Sequence, residues 1–326
     1  MSYADYLFVK NCEDILSDDF DSRSYSDEGF EVRPRWADGT PAHTRKILYQ
    51  QNTYMLSPDH IPVMTLRKQG IKNAIDEILW IYQRKTSDLS QLHSHIWDSW
   101  DVGDGTIGKA YGYQIGKVSK HHRYHKGEDL SGIHYAVVDD WVYLSQTDAV
   151  LWDLKNNPGS RSIMTNTYDH EDLADMGLRP CAYSMHYIVT KNTHGEMVLN
   201  GKLLQRSQDM LTANNWNVIQ YSALLQMFAQ ATGMKPGLFV HSVSDMHIYD
   251  RHIPLVQELI DTYHSHEAKF IGRGPSDKHF NPGNPYPNPT FVMNPDVKNF
   301  YDFTADDFRL ENYQYCEFNH KIEVAV

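Results

Sequence analysis

The sequence predicts a mixed α/β fold, a large twisted sheet covered by helices, and three observations carry that expectation. Residues 46–56, KILYQQNTYML, and 238–249, LFVHSVSDMHIY, are rich in strand formers. Residues 217–232, NVIQYSALLQMFAQAT, set Val218, Tyr221, Leu225, Phe228 and Ala229 at helical spacing along a buried face. Across all 326 residues the chain shows no composition shift of the kind that marks a linker and no internal repeat, so a single domain over 1–326 is expected.

The elements follow in chain order. The first strand, 46–56, alternates imperfectly. In RKQGIKNAIDEILWIYQRK, residues Ile71, Ala74, Ile75, Ile78 and Leu79 repeat at three and four and make one apolar helix face, with Glu77 beside it. Residues 137–157, VVDDWVYLSQTDAVLWDLKNN, are expected to form a second helix, stopped by Pro158 and Gly159. Residues 182–190 and 196–205 are expected to pair as strands around the polar turn Lys191 to Gly195. The buried helix ends at a plausible C-cap, Gly233. After the strand 238–249, RHIPLVQELIDTYH makes a further helix on Val256, Leu259 and Ile260. Two stretches differ in character: HHRYHKGEDLSG (121–132) is basic and rich in His, and GRGPSDKHFNPGNPYPNP (272–289) is dense in Gly and Pro. Both are expected to be surface insertions, near 118–135 and 265–290.

Charge and cysteine usage exclude several classes. A formal net charge of −12, with no local run of Lys and Arg, would repel a polyanion, so nucleic acid is not expected as a main partner. Cys12, Cys181 and Cys316 are odd in number and widely spaced, which fits a reducing compartment better than a disulfide framework. The first twenty residues carry acidic groups where a signal peptide needs a basic flank, and no apolar stretch is long enough to span a bilayer. A cytoplasmic protein is expected. The histidine triplet at 121–125 matches no standard ligand spacing, so a solvated loop is preferred there to a metal site and no metal is expected. The GxG at Gly272 lacks the rest of a phosphate-binding fingerprint.

The chemistry concentrates in three places. Cys181 directly follows Pro180 at the mouth of an expected strand; a thiol acts as a nucleophile only when nearby positive charge or donated hydrogen bonds favour the thiolate, and a lone cysteine is otherwise a small buried hydrophobe. Residues 203–217, LLQRSQDMLTANNWN, crowd Gln205, Arg206, Ser207, Asp209 and Asn217 between a strand and a buried helix. Arg206 and Ser207 suit a phosphate, while Asp209 and Asn217 offer acceptors and an amide for the edge of a heterocycle. In SDMHIYDRH (244–252), His247 and Tyr249 lie two apart and share one strand face.

Taken together and in this order, Pro-Cys before a strand, QRSxD with an Asn eight residues after the Asp, and SDxHxY, the chain resembles the thymidylate synthases. Further matching stretches are EVRPRWADGTPAHT with Arg33, DEILW with Glu77, HIWDSW at 95–100, DGTIGKAYGYQ at 104–114, NNPGSR at 156–161, FYDFTADDF at 300–308 and the terminal EVAV. The resemblance implies that Cys181 attacks carbon 6 of the uracil ring of dUMP. The ring then accepts a one-carbon unit and hydride from 5,10-methylenetetrahydrofolate, giving dTMP. It implies that Arg33, Arg206 and Ser207 hold the phosphate, with Arg206 also favouring the thiolate. Gln205 falls in the same nucleotide site, Asn217 reads the pyrimidine edge and supports the enolate, and His247 with Tyr249 holds the ribose hydroxyl. Glu77 and Tyr111 are implied to organise water and proton transfer. Asp209, Trp97 and Trp100 are implied at the folate, with the tail ending at Val326 closing over both ligands. Arg161 is implied to reach the phosphate of a neighbouring subunit, in a homodimer whose sheets pack face to face.

The chain departs from that pattern at three points. Ser162 follows Arg161 where a second arginine is usual, one cationic phosphate contact fewer, with Arg179 a nearby cation. TANNWN replaces the usual glycine and Pro-Phe before Asn217, and Ala182 follows the nucleophile where some members have His. Within the same fold, hydroxymethylases of dUMP or dCMP are the alternative; Asn217 argues against cytosine and the tail and tryptophans favour a dry site. A Cys-His hydrolase using Cys181 and His247, or a non-catalytic nucleotide-binding module, gives Arg206 or the nucleophile no role.

Overall fold

The computed structural model describes residues 1–18, 20–23, 29, 34–267 and 289–326. Arg33 and nearly all of the expected 265–290 insertion lie outside the described residues. Along the chain come α1 (Tyr3–Ser17), β1 (Thr44–Met55), α2 (Ile71–Tyr82), the short α3 (Gly112–Gly116), β2 (Ser119–Arg123), β3 (Tyr135–Val138), β4 (Trp141–Leu144) and α4 (Gln146–Asn156). Then follow β5 (Met164–Asn166), β6 (Ala182–Lys191), β7 (Met197–Asp209), α5 (Asn214–Ala231), β8 (Lys235–Tyr249), α6 (Ile253–Glu267), β9 (Thr290–Met293) and β10 (Phe308–Glu311).

The main sheet runs β1-β8-β7-β6-β5, antiparallel except where β7 pairs with β8. A parallel pair needs a crossover, and α5 supplies it. Strand periodicity puts Leu199, Gly201, Leu203 and Gln205 of β7 beside Phe239, His241 and Val243 of β8 on the buried face. Helix α5 packs there so closely that a Cβ on Gly201 would sit 2.4 Å from Met185 Cε and 3.0 Å from Leu225 Cδ1. Fully buried, Val218, Leu225 and Phe228 each contribute about 1.5–3 kcal/mol by leaving water. The opposite face differs: His186, Lys202, Val240 and Thr53 line up across β6, β7, β8 and β1, with Leu204, Ser242 and Gln51 alongside, all half-buried or exposed.

The expected strands, the helix on Ile71–Leu79, the buried helix and the last helix are all present. Residues 137–157 are not one helix. They split into β4 and α4 because Asp139 and Asp140, at φ +49° and +63°, turn the chain between β3 and β4. Asp tolerates the left-handed region, and a two-residue turn of that hand joins antiparallel strands well. The same hairpin gathers β2, so 121–132, expected as a loop, is strand as far as Arg123 in a separate sheet ordered β2-β4-β3. Helix α1, which sequence patterning left unassigned, is fixed by a reciprocal cap between Ser2 and Asp5. The buried Asp5 carboxylate also accepts from Thr65 N at 2.8 Å, Thr65 Oγ1 at 2.6 Å and Leu66 N at 3.0 Å, docking α1 on the segment that leads into α2.

Candidate active site

Register brings the three chemical stretches to one end of the sheet. Ala182 pairs with Gln205, and the Arg206 N–H donates to the Cys181 carbonyl at 2.9 Å, so the cysteine and the QRS triplet are neighbours across two strands. On the parallel side Asp209 pairs with His247. Helix α5 starts five residues after β7 ends and carries Asn217 in its first turn.

Cys181 is held from two directions. The Arg206 guanidinium donates through Nε to Pro180 O at 2.9 Å and through Nη2 to Arg179 O at 2.7 Å, using two of its five N–H groups. The Cys181 N–H donates to the Tyr111 hydroxyl at 2.9 Å. Burial pushes the Cys181 thiol above its ordinary value, while the Arg206 charge and the Tyr111 hydroxyl pull it down without cancelling burial. Arg206 therefore acts in the expected direction, and burial outweighs it. Tyr111 is placed by an uncommon backbone, φ +41° and ψ −99°. Gly112 follows it of necessity, since a Cβ there would lie 2.1 Å from Thr86 O.

Behind the cysteine runs a chain of fixed amides. His241 Nε2 lies 2.9 Å from Gln205 Oε1; Gln205 Nε2 donates to Asn217 Oδ1 at 3.2 Å and to Ser207 O at 2.9 Å; Asn217 Nδ2 donates to Gln220 Oε1 at 3.0 Å. Burial depresses His241 to about 4, so the ring is neutral and donates from Nε2. The amide of Asn217 thus has a set orientation before any ligand arrives.

Glu77 is 4% exposed on α2 and accepts from the Trp216 indole N–H at 2.8 Å. Burial raises its carboxyl, and Gln220, Trp216 and Trp97 offset this only in part. Trp97 packs 5.2 Å from the Tyr111 ring and 5.4 Å from that of Trp100, and its buried indole N–H faces the Glu77 carboxyl.

At the far end, His247 Nδ1 lies 2.8 Å from Asp245 Oδ1, Lys46 pairs with the same carboxylate, and the Tyr249 ring meets His247 at 5.0 Å. Asp209 is engaged by its own loop: Thr212 Oγ1 donates at 2.6 Å and Leu211 N at 2.9 Å. Burial raises Asp209, but the rings of His252 and His247 with Thr212 bring it below its ordinary value. His252, with Nδ1 3.8 Å from Asp209, also donates to Glu323 O at 2.8 Å, and Val326 exchanges backbone hydrogen bonds of 2.7 and 3.0 Å with Arg35. The tail is therefore tied beside the site. Arg161 lies apart from this cluster, exposed on the surface, its carbonyl 3.0 Å from His186 Nε2. Sequence reasoning passed over His241, Gln220, His252 and Trp216. The first three are polar groups spaced at strand or helix periods among the expected ones, and Trp216 was visible only as a change of letter in TANNWN.

A cysteine between an arginine and a tyrosine, backed by a fixed amide and a buried carboxyl, brings together the groups that thiol addition and proton transfer call for. The chain belongs to the thymidylate synthase family, whose family model matches residues 22–326. Thymidylate synthase 1 of Bacillus subtilis (strain 168) is 36% identical over 98% of this chain and 99% of its own length. The thymidylate synthase of Bacillus licheniformis is 37% identical over 92% of this chain and 93% of its own. Among solved structures, the thermostable thymidylate synthase A from Bacillus subtilis matches with a TM-score of 0.75 at 34% identity, covering 99% of both chains. The family and fold expected from the sequence hold, and the enzyme is a methyltransferase of the thymidylate synthase type, the hydroxymethylase alternative not being favoured.

Proposed function

We propose that Cys181 carries the synthase reaction by adding to carbon 6 of the uracil ring of dUMP, in one catalytic domain over 1–326. The observation that carries this reading is the setting of Cys181 between Arg206, whose backbone N–H donates to the Cys181 carbonyl and whose charge favours the thiolate, and the Tyr111 hydroxyl. Sulfur bonds to carbon 6 as carbon 5 gains electron density and takes the one-carbon unit. Loss of the carbon 5 proton expels the folate nitrogen and leaves an exocyclic methylene, which accepts hydride from the folate as the ring double bond re-forms and sulfur departs, giving dTMP and dihydrofolate. Arg206 stabilises the thiolate as it forms, and the fixed Asn217 amide stabilises the enolate. Glu77 and Tyr111 move protons through the water they organise. Gln205 and Ser207, with Arg33 and the unengaged donors of Arg206, serve the nucleotide, and His247 with Tyr249 the ribose.

5,10-Methylenetetrahydrofolate supplies both the one-carbon unit and the hydride. The adjoining rings of Trp97 and Trp100 suit a flat ring ligand there, with Asp209 close to the tail that ends at Val326. The half-exposed face of the main sheet supports a homodimer built on that face, with Arg161 completing the phosphate site of the partner subunit. Cytoplasm is the compartment we assign, on the reduced state that a thiol nucleophile requires. Among the described residues no helix is long and apolar enough to cross a membrane.

The test is intact-mass measurement after incubation with 5-fluoro-dUMP and 5,10-methylenetetrahydrofolate. Fluorine at carbon 5 blocks proton loss, so the wild type should gain the mass of both molecules and Cys181→Ser neither. A wild type without adduct overturns the reading.

A further inference from the structure

Trp216 is the third residue of α5 and reaches across to α2. Its ring covers Gly70, the residue that precedes α2, where a Cβ would stand 3.4 Å from Cζ3, and its Nε1–H donates to Glu77 Oε2 at 2.8 Å. The Glu77 carboxyl is thus reached from α5 by a donor fixed at hydrogen-bond distance. The Gln220 amide N–H and the Trp97 indole N–H are buried near the same carboxyl and also favour its charged form. Asn217 is the next residue on α5. One helical turn therefore carries both the amide expected to read the ring and the donor that holds the carboxyl expected to move its proton.

We infer that Trp216 is a positioning residue for the reaction: its indole N–H holds one oxygen of Glu77 and leaves the other for proton transfer beside the pyrimidine. A side chain without a donor, such as phenylalanine, would fill the same space against Gly70 but take from a buried carboxyl the donor that α5 holds at 2.8 Å, leaving Gln220 and Trp97 to favour its charge. A buried carboxylate that loses a donated hydrogen bond takes up a proton more readily, so the group would ionise at higher pH. Ring binding, which falls to Asn217 and the phosphate contacts, would be little affected.

The inference rests on the reading of Glu77 as a proton-transfer group, and the experiment separates the two. The pH dependence of kcat is measured for wild type, Trp216→Phe, Glu77→Gln and the double variant, with KM for dUMP and the yield of the covalent 5-fluoro-dUMP complex. Expected for Trp216→Phe are a fall in kcat of about 10- to 100-fold, KM for dUMP within about threefold of wild type, and an acid limb displaced to higher pH. In the Glu77→Gln background the same change should cost less than about twofold. If Glu77→Gln turns over normally, the reading of Glu77 falls. If Glu77→Gln is impaired while Trp216→Phe keeps the wild-type kcat and acid limb, the positioning role falls. A lowered melting temperature with an unmoved acid limb marks a purely structural tryptophan and also overturns it. Should Trp216→Phe not fold, 3-benzothienylalanine at 216, which replaces the indole N–H by sulfur at nearly the same shape, is subject to the same outcomes.

Discussion

Two regions gather histidines and carboxylates at hydrogen-bond distance, one at the end of β8 and one in the small β2-β4-β3 sheet. In the small sheet, His122 Nε2 lies 2.6 Å from Glu128 Oε2, the two Nδ1 atoms of His121 and His122 are 2.8 Å apart, and the His122 ring lies 4.0 Å from that of Trp152. The Glu128 carboxylate also takes the Trp152 indole N–H and the His125 backbone N–H. Burial raises Glu128, but these donors outweigh it and hold its carboxyl below the ordinary range. Each group there satisfies another. At the end of β8 the pairings look alike, His247 with Asp245 and His252 with Asp209, yet the neighbouring strand brings a guanidinium, that of Arg206, which spends two of its N–H groups on backbone carbonyls and keeps the rest. A high density of ionisable groups describes both regions; only the second keeps unmet capacity beside a nucleophile. Among the described residues no group of three such side chains is arranged to hold a metal ion.

The sharpest test of that contrast is Cys181→Ser, which should lower kcat by about a thousandfold or more while dUMP binding, measured by calorimetry, persists. Activity within tenfold of wild type would move the chemistry elsewhere. Next, Asn217→Asp should reduce kcat/KM for dUMP by about a hundredfold and raise that for dCMP, since a carboxylate cannot donate to the uracil edge; unchanged selectivity would mean the ring is read by another group.

A smaller effect concerns stability. His241 in the folded chain takes up a proton only near pH 4, whereas in the unfolded chain it does so near 6.5. Between those values the unfolded state binds more protons, so stability falls as pH falls. Urea unfolding at about pH 7 and about pH 4.5 should show the wild type losing about 2 kcal/mol more than His241→Gln. Equal losses would show that His241 is not held neutral. Smallest of all, His122→Gln should leave kcat within about twofold and cost the fold about 1 kcal/mol or less, seen as a slight fall in melting temperature. A large loss of activity would erase the distinction between the two regions.

The sequence made the active end of the sheet legible because its groups sit on regular strands and one helix. Arg206, Ser207 and Asp209 follow from β7, His247 and Tyr249 from β8, and Asn217 from α5, and once the strands are in register these stretches must meet. The small sheet was misread for the converse reason. Its hairpin depends on two aspartates in left-handed conformations, and a run such as VVDDWVYLSQTDAV carries enough apolar residues at three and four to pass for one helix. Helix α1 was missed because its apolar face is built on long-range contacts, including Asp5 with Thr65, that local periodicity does not contain. The tie between Trp216 and Glu77 spans 139 residues, and no pattern of spacing announces it.

Tyr111 has a consequence for how this protein can change. Its backbone conformation is one that glycine adopts freely and tyrosine does not, at about 1–3 kcal/mol. Glycine would relieve that strain but empty a buried site packed against Trp97, at about 3–5 kcal/mol, and remove the hydroxyl that receives the Cys181 N–H. The ring thus keeps the strained turn in place, and at this one position selection for robustness and selection for turnover retain the same residue.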